Sequence, residues 1–241
     1  MAKILLIETA TEVCSVAIAV EGVVVALAEA SESPSHSALL TMQISQCVRE
    51  SGIELAELDA VAVSNGPGSY TSLRVGVSVA KGICYALDKP LIAVDTLGSL
   101  ALASKPFAAQ EGGRIYFLPM IDARRNEVWT SVYTSALERV NLPQPLILEN
   151  NSFIEYVASC IGPDSQDTLI VSGNGSQKIA DVTLFENTVV SPIKKCSAQY
   201  LSELAFYQFQ NNDFQDIAYF EPLYMKPPNI TVSNKSAWHE K

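Results

Sequence analysis

Two short segments hold the residue types that could take part in chemistry. Ile7-Glu8-Thr9-Ala10-Thr11 puts one acid and two hydroxyls at the end of an apolar run. A carboxylate followed by small hydroxyl residues, just before a hairpin, can hold a metal or a nucleotide phosphate. By pattern alone the segment reads first as a strand end with a turn. The second segment is Gly66-Pro67-Gly68-Ser69-Tyr70-Thr71-Ser72-Leu73-Arg74-Val75-Gly76. Backbone N–H groups at a helix start after a Gly-rich turn can bind an anion. The turn is not a P-loop, because the Lys that would reach the phosphates is absent. It reads equally as a glycine-shaped turn with Ser69 or Thr71 as N-cap. Glu8, Thr9, Thr11, Gly66, Gly68 and Ser69 are therefore the candidates for an anion or nucleotide site, and spacing leaves both readings open.

Other chemistries have less behind them. The chain has two histidines, His36 and His239, so a His-based metal site or a Ser-His-Asp triad lacks parts, and no G-x-S-x-G elbow accompanies His36. The five cysteines, Cys14, Cys47, Cys84, Cys160 and Cys196, are odd in number, widely spaced and without a C-x-x-C pair. They read as buried free thiols in a reducing compartment, which points to the cytoplasm.

The helix after the glycine turn offers a third feature. Ser72, Gly76 and Ala80 recur at i, i+4 and i+8 as a stripe of small residues, bordered by Val75, Val79 and Ile83, while Leu73, Val77 and Leu87 form another face. A small-residue stripe admits a second helix at close range. Two apolar faces on one helix argue for one internal and one external contact. The alternative is that the stripe packs inside its own domain.

These segments need elements to position them. Lys3–Thr9, Val13–Val20 and Gly22–Glu29 read as three strands of a meander, the last two joined at Glu21-Gly22. A helix starts at Pro34-Ser35 and stops at Gly52, with Leu40, Ile44, Cys47 and Val48 at helical spacing. Strand Leu58–Ser64, helix Thr71–Leu87, strand Pro90–Asp95 and a helix capped by Thr96 and reaching Ser104 complete a β-β-β-α-β-α-β-α order. A second unit opens near Arg114 with strands Ile115–Ile121 and Glu127–Thr134. Loop Ala136–Asn151, helix Phe153–Cys160, strand Thr168–Ser172, a Gly173–Ser176 turn into a helix, and helix Ser197–Gln210 follow. The second half thus repeats the first loosely. The expected division is residues 1–105 and 106–241, with helix 197–210 able to cross back to the first domain and a mobile polar tail after about 227.

The bulk numbers bound the partners. The chain has 241 residues, 48% hydrophobic, with a net charge of −10. That length allows one large or two compact cores. Strong unaided nucleic-acid binding is disfavoured, since the basic residues are scattered and the adjacent pairs are Arg124-Arg125 and Lys194-Lys195. No segment has the length of a membrane span.

Six ordered blocks resemble one family. Ile4–Thr11 with Cys14-Ser15-Val16-Ala17, Pro34–Leu40, Asn65–Gly76, Ala93-Val94-Asp95-Thr96-Leu97, Ile121–Trp129 and Glu221–Lys226 are similar to the blocks of the TsaB (YeaZ) family, over residues 3 to about 226. The resemblance implies an α/β, actin-like ATPase (ASKHA, ribonuclease H-like) fold of two related domains. It also implies a non-catalytic cytoplasmic subunit of the complex that forms N6-threonylcarbamoyladenosine in tRNA, working with a TsaD-type catalytic subunit and a TsaE-type ATPase. tRNA would be met only through that complex, and ATP or ADP would bind only within it. A homodimer would form when the chain is alone. TsaD carries its metal on an H-x-x-x-H motif. This chain has none, and holds Val94–Leu100 in the corresponding region. The resemblance places partner contacts on the first two helices, hence on His36, Leu40, Ile44, Ser72, Gly76, Val79, Ala80 and Ile83. Ser72 stands where the family more commonly has Gly, and Glu8 where it usually has Asp; the extra methylene of Glu8 weakens any nucleotide site and leaves it vestigial. The competing functions are a glycoprotease-like hydrolase and an independent nucleotide-binding ATPase.

Overall fold

The computed structural model describes residues 1–30, 36–108, 113–163, 166–181 and 187–225, the side chains of 36–38 and 181 excepted. The tail expected after 227 lies outside the described residues.

The first sheet is built on β1 (Lys3–Glu8), whose residues Ile4 to Glu8 are all buried. Such a run, apolar on both faces, belongs at the centre of a covered sheet. Leu5 and Ile7 face one core and Ile4 and Leu6 face another. β2 (Cys14–Val20) and β3 (Val23–Ala30) continue antiparallel, through a turn in which Glu21 and Gly22 both take positive φ, the tight hairpin geometry. β4 (Ala60–Ser64) and β5 (Leu91–Val94) lie parallel to β1, giving the order β3-β2-β1-β4-β5. Helices α1 (His36–Ser51) and α2 (Tyr70–Leu87) cover the face of Leu5 and Ile7. α1 ends at Gly52 in the left-handed region, and α2 ends at Asp88, also left-handed, just before Pro90.

The second sheet has strands β6 (Ile115–Asp122), β7 (Glu127–Thr130), β9 (Gln144–Ile147), β10 (Thr168–Ser172) and β11 (Thr188–Val190) in the order β11-β10-β6-β7-β9, with the short β8 (Tyr133–Thr134) also on β6. β6, β7, β9, β10 and β11 take the places of β1 to β5, with every parallel and antiparallel pairing preserved. Helix α4 (Ser152–Ile161) lies between β9 and β10 as α1 lies between β3 and β4. The two units are thus one architecture used twice.

Several expectations change in this half. The strand expected over Glu127–Thr134 is broken into β7 and β8. Pro119 of β6 stands opposite the gap and has no N–H to donate, while Ser131 and Val132 bond Asn141 instead. The expected loop Ala136–Asn151 contains β9. Its Pro145 hides the strand in sequence but is tolerated because β9 is an edge. Asp95, not Thr96, caps helix α3 (Thr96–Ser104), by accepting from Leu97 N at 3.2 Å. Thr96 Oγ1 instead accepts from Gly66 N at 3.0 Å. After Gly173 the chain forms a 3-10 stretch, Asn174–Asp181, in place of an α-helix. The expected helix Ser197–Gln210 is a 3-10 turn, Ala198–Leu201, followed by α5 (Ser202–Gln210).

The packing also blurs the division at residue 105. α3 belongs to the first half in sequence, yet Leu97, Leu100 and Ala101 pack with Phe117, Ile121 and Ile170 of the second sheet. In return, Ala198, Leu201 and Ala205 pack with Ile4, Leu6, Ala17, Ala62 and Ile92 of the first. Each unit lends its last helix to the other.

Candidate functional site

A cleft of about 620 Å³ opens between the two units. One wall is the β1–β2 hairpin, Ala10 to Glu12, with the turn Pro67–Ser69 and the start of α2. The facing wall is the β6–β7 hairpin, Ile121 to Arg124, with Trp129 and Asn174. Leu223, Tyr224 and Met225 close one end. Of the anion-site candidates, Thr11, Gly68 and Ser69 line this cleft. Glu8 and Thr9 are fully buried beneath it, and Gly66 is buried as well.

The buried pair serves the fold. Glu8 Oε1 accepts from Ala10 N at 2.6 Å and from Ser64 Oγ at 2.8 Å, while Oε2 has no partner among the described residues. Burial pushes the carboxyl up to about 7, against the lowering effect of those bonds. Thr9 Oγ1 donates to Ser72 O at 2.8 Å. The glycine turn is bound to the hairpin in the same way. Ser69 N donates to Ala10 O at 2.7 Å, and a Cβ on Gly68 would stand 2.4 Å from that oxygen. Gly68 is thus required where two backbones touch, and the Ser69 N–H that could serve an anion is directed at protein.

Sequence reasoning missed the groups that tie the cleft together. Asn174 Nδ2 donates to Glu12 Oε2 at 2.9 Å across the cleft, and Asn174 Oδ1 accepts from Asp122 N at 2.9 Å. Lys178 Nζ bonds Asp122 Oδ1 at 2.5 Å and the carbonyls of Arg125 and Glu127. At the end of the cleft Arg74 lies over the Tyr70 ring at 4.2 Å, and its Nε donates to Tyr224 OH at 3.1 Å. Tyr70, Arg74 and Tyr224 all sit in blocks that carried the resemblance, and that was their only signal.

The helix pair gives the clearest correction. Gly76 and Ala80 face inward. A Cβ on Gly76 would meet Thr9 Oγ1 at 2.3 Å, and Ala80 is packed in the core beneath α2. Leu40 and Ile44 of α1 are buried in the same core, and Ser72, Val79 and Ile83 are half-buried. His36 opens α1, and its side chain lies outside the described residues. The stripe expected to meet a partner is therefore the seam between α2 and its own sheet. A second stripe of the same spacing, Ser78, Gly82 and Ala86, is exposed. Beside it stand Tyr85, 84% exposed, and Met42 of α1, 66% exposed.

The thiols offer no evident nucleophile. All five are free and all but Cys160 are buried. Burial pushes Cys14, Cys47 and Cys84 up to about 11. Among the described residues no group of three or more His, Cys, Asp or Glu could hold a metal ion, and no helix is long and apolar enough to cross a membrane.

Two sheets of repeated topology, exchanged helices and a cleft between matching hairpins define an α/β protein built from one architecture used twice. Residues 20–233 match the family described as TsaD, tRNA N6-adenosine threonylcarbamoyltransferase. The chain belongs to that family, on its TsaB/YeaZ branch. It is 28% identical over 226 residues to the tRNA threonylcarbamoyladenosine biosynthesis protein TsaB of Haemophilus influenzae, covering 92% of this chain and 93% of that one. It is 36% identical over 131 residues to TsaB of Escherichia coli, covering 54% of each. In fold it is similar to YeaZ from Pseudomonas aeruginosa, with a TM-score of 0.76 at 24% identity over 93% of this chain and 100% of that one.

Proposed function

We propose that the chain is a non-catalytic, cytoplasmic subunit in tRNA threonylcarbamoyladenosine formation, which holds and activates a TsaD-type catalytic subunit together with a TsaE-type ATPase. The observation that carries this reading is the outer face of α1 and α2. Ser78, Gly82 and Ala86 let a helix approach closely, and Tyr85 and Met42 present apolar surface that no other described residue covers. The matched TsaB relatives support the process. The residues support the lack of chemistry of its own, because the sequence has two histidines and no H-x-x-x-H. The net charge of −10 supports contact with tRNA through partners only. ATP or ADP belongs, on this reading, to the assembled complex. The same face makes a homodimer when the chain is alone.

The test is association of the full chain with a purified catalytic subunit. An interface on the order of 1,600 Å² is expected. Gly82→Arg and Tyr85→Asp should weaken it at least tenfold while leaving the chain cooperatively folded. Normal binding by both variants overturns the reading. The size of the cleft favours one alternative, independent nucleotide binding, since about 620 Å³ falls in the range of ligand pockets. Calorimetry of the isolated chain with ATP and magnesium separates the two, and micromolar binding supports the alternative.

A further inference from the structure

We infer that the C-terminal strap, residues 213–225, is a third component of the partner surface, with Tyr219 as its contact residue and the TsaD-type subunit as its occupant. The inference rests on the reading above and extends it beyond the helix pair.

The strap returns from the second unit and lies along α2. Gln215 N donates to Leu91 O at 2.8 Å, and Leu223 N to Asn65 O at 2.7 Å. Ile217 and Phe220 pack against the core beneath α1 and α2. Between these anchors the Asp216 carboxylate accepts from Ala218 N at 2.8 Å and Tyr219 N at 3.3 Å, and Phe220 N closes the turn on Asp216 O. This is the local fold that Asp favours at a turn. Lys81 of α2 then donates to Ala218 O at 3.4 Å and Phe220 O at 2.9 Å, the carbonyls on either side of Tyr219.

The consequence is a tyrosine whose backbone is fixed on both sides and whose side chain is 84% exposed. A large aromatic held this way loses little further freedom on binding, and tyrosine is among the residues enriched at interface hot spots. Its position joins it to the proposed face. Lys81 is one helical turn from Tyr85, so the exposed residues run from Tyr219 on the strap, across Tyr85, Gly82 and Ser78 on α2, to Met42 on α1. None of these carries a charge. The ammonium nearest Tyr219 is committed to carbonyls and does not interrupt the band. Uncharged side chains, edged on the strap by the exposed carboxylates of Asp216 and Glu221, suit a protein face and not a phosphate backbone. Its continuity with the α2 stripe selects the same occupant as that stripe.

The test measures the affinity of the full chain for the purified catalytic subunit. Tyr219→Ala should weaken binding about tenfold with an unchanged melting temperature. Tyr207→Ala is the control, because Tyr207 is 66% exposed on α5, which packs on the opposite face of the first sheet. It should bind as wild type. If Tyr219→Ala binds normally while Gly82→Arg does not, the strap is no part of the interface and the helix-pair reading stands. If neither variant matters, the helix-pair reading fails and this inference with it. If Tyr219→Ala weakens only self-association, the occupant is a second copy and the assignment to the catalytic subunit is overturned.

Discussion

Gly76 and Gly82 lie six residues apart on α2, and the structure assigns them opposite fates on replacement by alanine. The alanine Cβ at position 76 would stand 2.3 Å from Thr9 Oγ1 and 3.3 Å from its Cγ2, well inside contact distance. Thr9 is fully buried and its hydroxyl is bonded to Ser72 O. Either Thr9 turns away and loses a bond of about 1 kcal/mol, or α2 lifts from β1 at an overpacking cost of about 1–3 kcal/mol. Alanine recovers about 1 kcal/mol of helix propensity, so Gly76→Ala should lose a net of roughly 0–2 kcal/mol. At position 82 the added Cβ meets nothing within 4 Å, so Gly82→Ala should gain about 0.5–1 kcal/mol. Propensity cancels in the comparison, leaving a gap of about 1–3 kcal/mol that measures the contact with Thr9. For a chain of this size that is a difference in melting temperature of roughly 2–12 °C. Urea and thermal unfolding of both variants make the test. Thr9→Ala removes the obstructing atoms, so the double variant Thr9→Ala/Gly76→Ala should cost less than the sum of its parts. If Gly76→Ala proves as stable as Gly82→Ala, the inward assignment of the first stripe is wrong.

Three further outcomes follow from the cleft and its supports. Glu8 has a folded pKa raised from 4.5 to about 7, so between those values the native state holds a proton that the unfolded chain releases. Its contribution is present below about pH 4.5 and lost as pH rises through 7, up to about 3 kcal/mol. Urea unfolding at pH 5 and pH 8 should show Glu8→Gln without that decline, and equal pH slopes for variant and wild type would contradict it. Asp95 caps α3 and also accepts from Tyr133 OH at 2.5 Å and Arg139 Nη2 at 2.6 Å, so it joins the two units. Asp95→Ala should cost about 2–4 kcal/mol through the lost cap and the stranded tyrosine, and calorimetry should show the single transition broadening or splitting. Gly68→Ala forces a Cβ against Ala10 O and should destabilise by about 1–3 kcal/mol. In a Trp238→Phe background the emission of Trp129, which lines the same cleft, should shift as the hairpin moves.

The parts of the fold legible in sequence are those where a single local pattern leaves no competitor. β1, β4, β5 and β10 are apolar runs buried throughout or nearly so, and α2 has a long period bounded by Ser69 and Asp88. β9 was illegible because Gln144-Pro145-Leu146-Ile147 looks like loop, and its pairing with β7 comes from the tertiary edge it occupies. The break at Ser131-Val132 is caused by Pro119, a residue on another strand. The exchange of α3 and α5 depends on contacts between residues far apart in sequence, to which no local period refers. At the site, the choice between Ser72-Gly76-Ala80 and Ser78-Gly82-Ala86 could not be made from composition. Both stripes have the same residue classes at the same spacing. What separates them is Thr9, which stands over Gly76 and not over Gly82. Small residues serve a helix lying close on a sheet as well as they serve a helix meeting a partner.

The cleft shows the same principle at work on its polar groups. A loop that binds a phosphate turns its N–H donors outward. Here the Ser69 N–H is spent on Ala10 O, and Ala10 N–H on the Glu8 carboxyl. The carboxylates at the mouth are also engaged, Glu12 by the Asn174 amide and Asp122 by Lys178 and Arg124 N. Each bond joins hairpin to turn, or one unit to the other, or braces a hairpin from within. Glu29 adds a tie of its own, accepting from Ser15 of the first sheet and from Ser197 of the segment that leads into α5. A network of this kind favours one relative placement of the sheets over a range of open and closed ones. Since the segment carrying α5 and the strap leaves the second unit and ends on the first, that placement also fixes where Tyr219 stands beside α2. Glu8 and Ser69, read for chemistry in the sequence, serve in the structure to hold the first hairpin against the turn that opens α2.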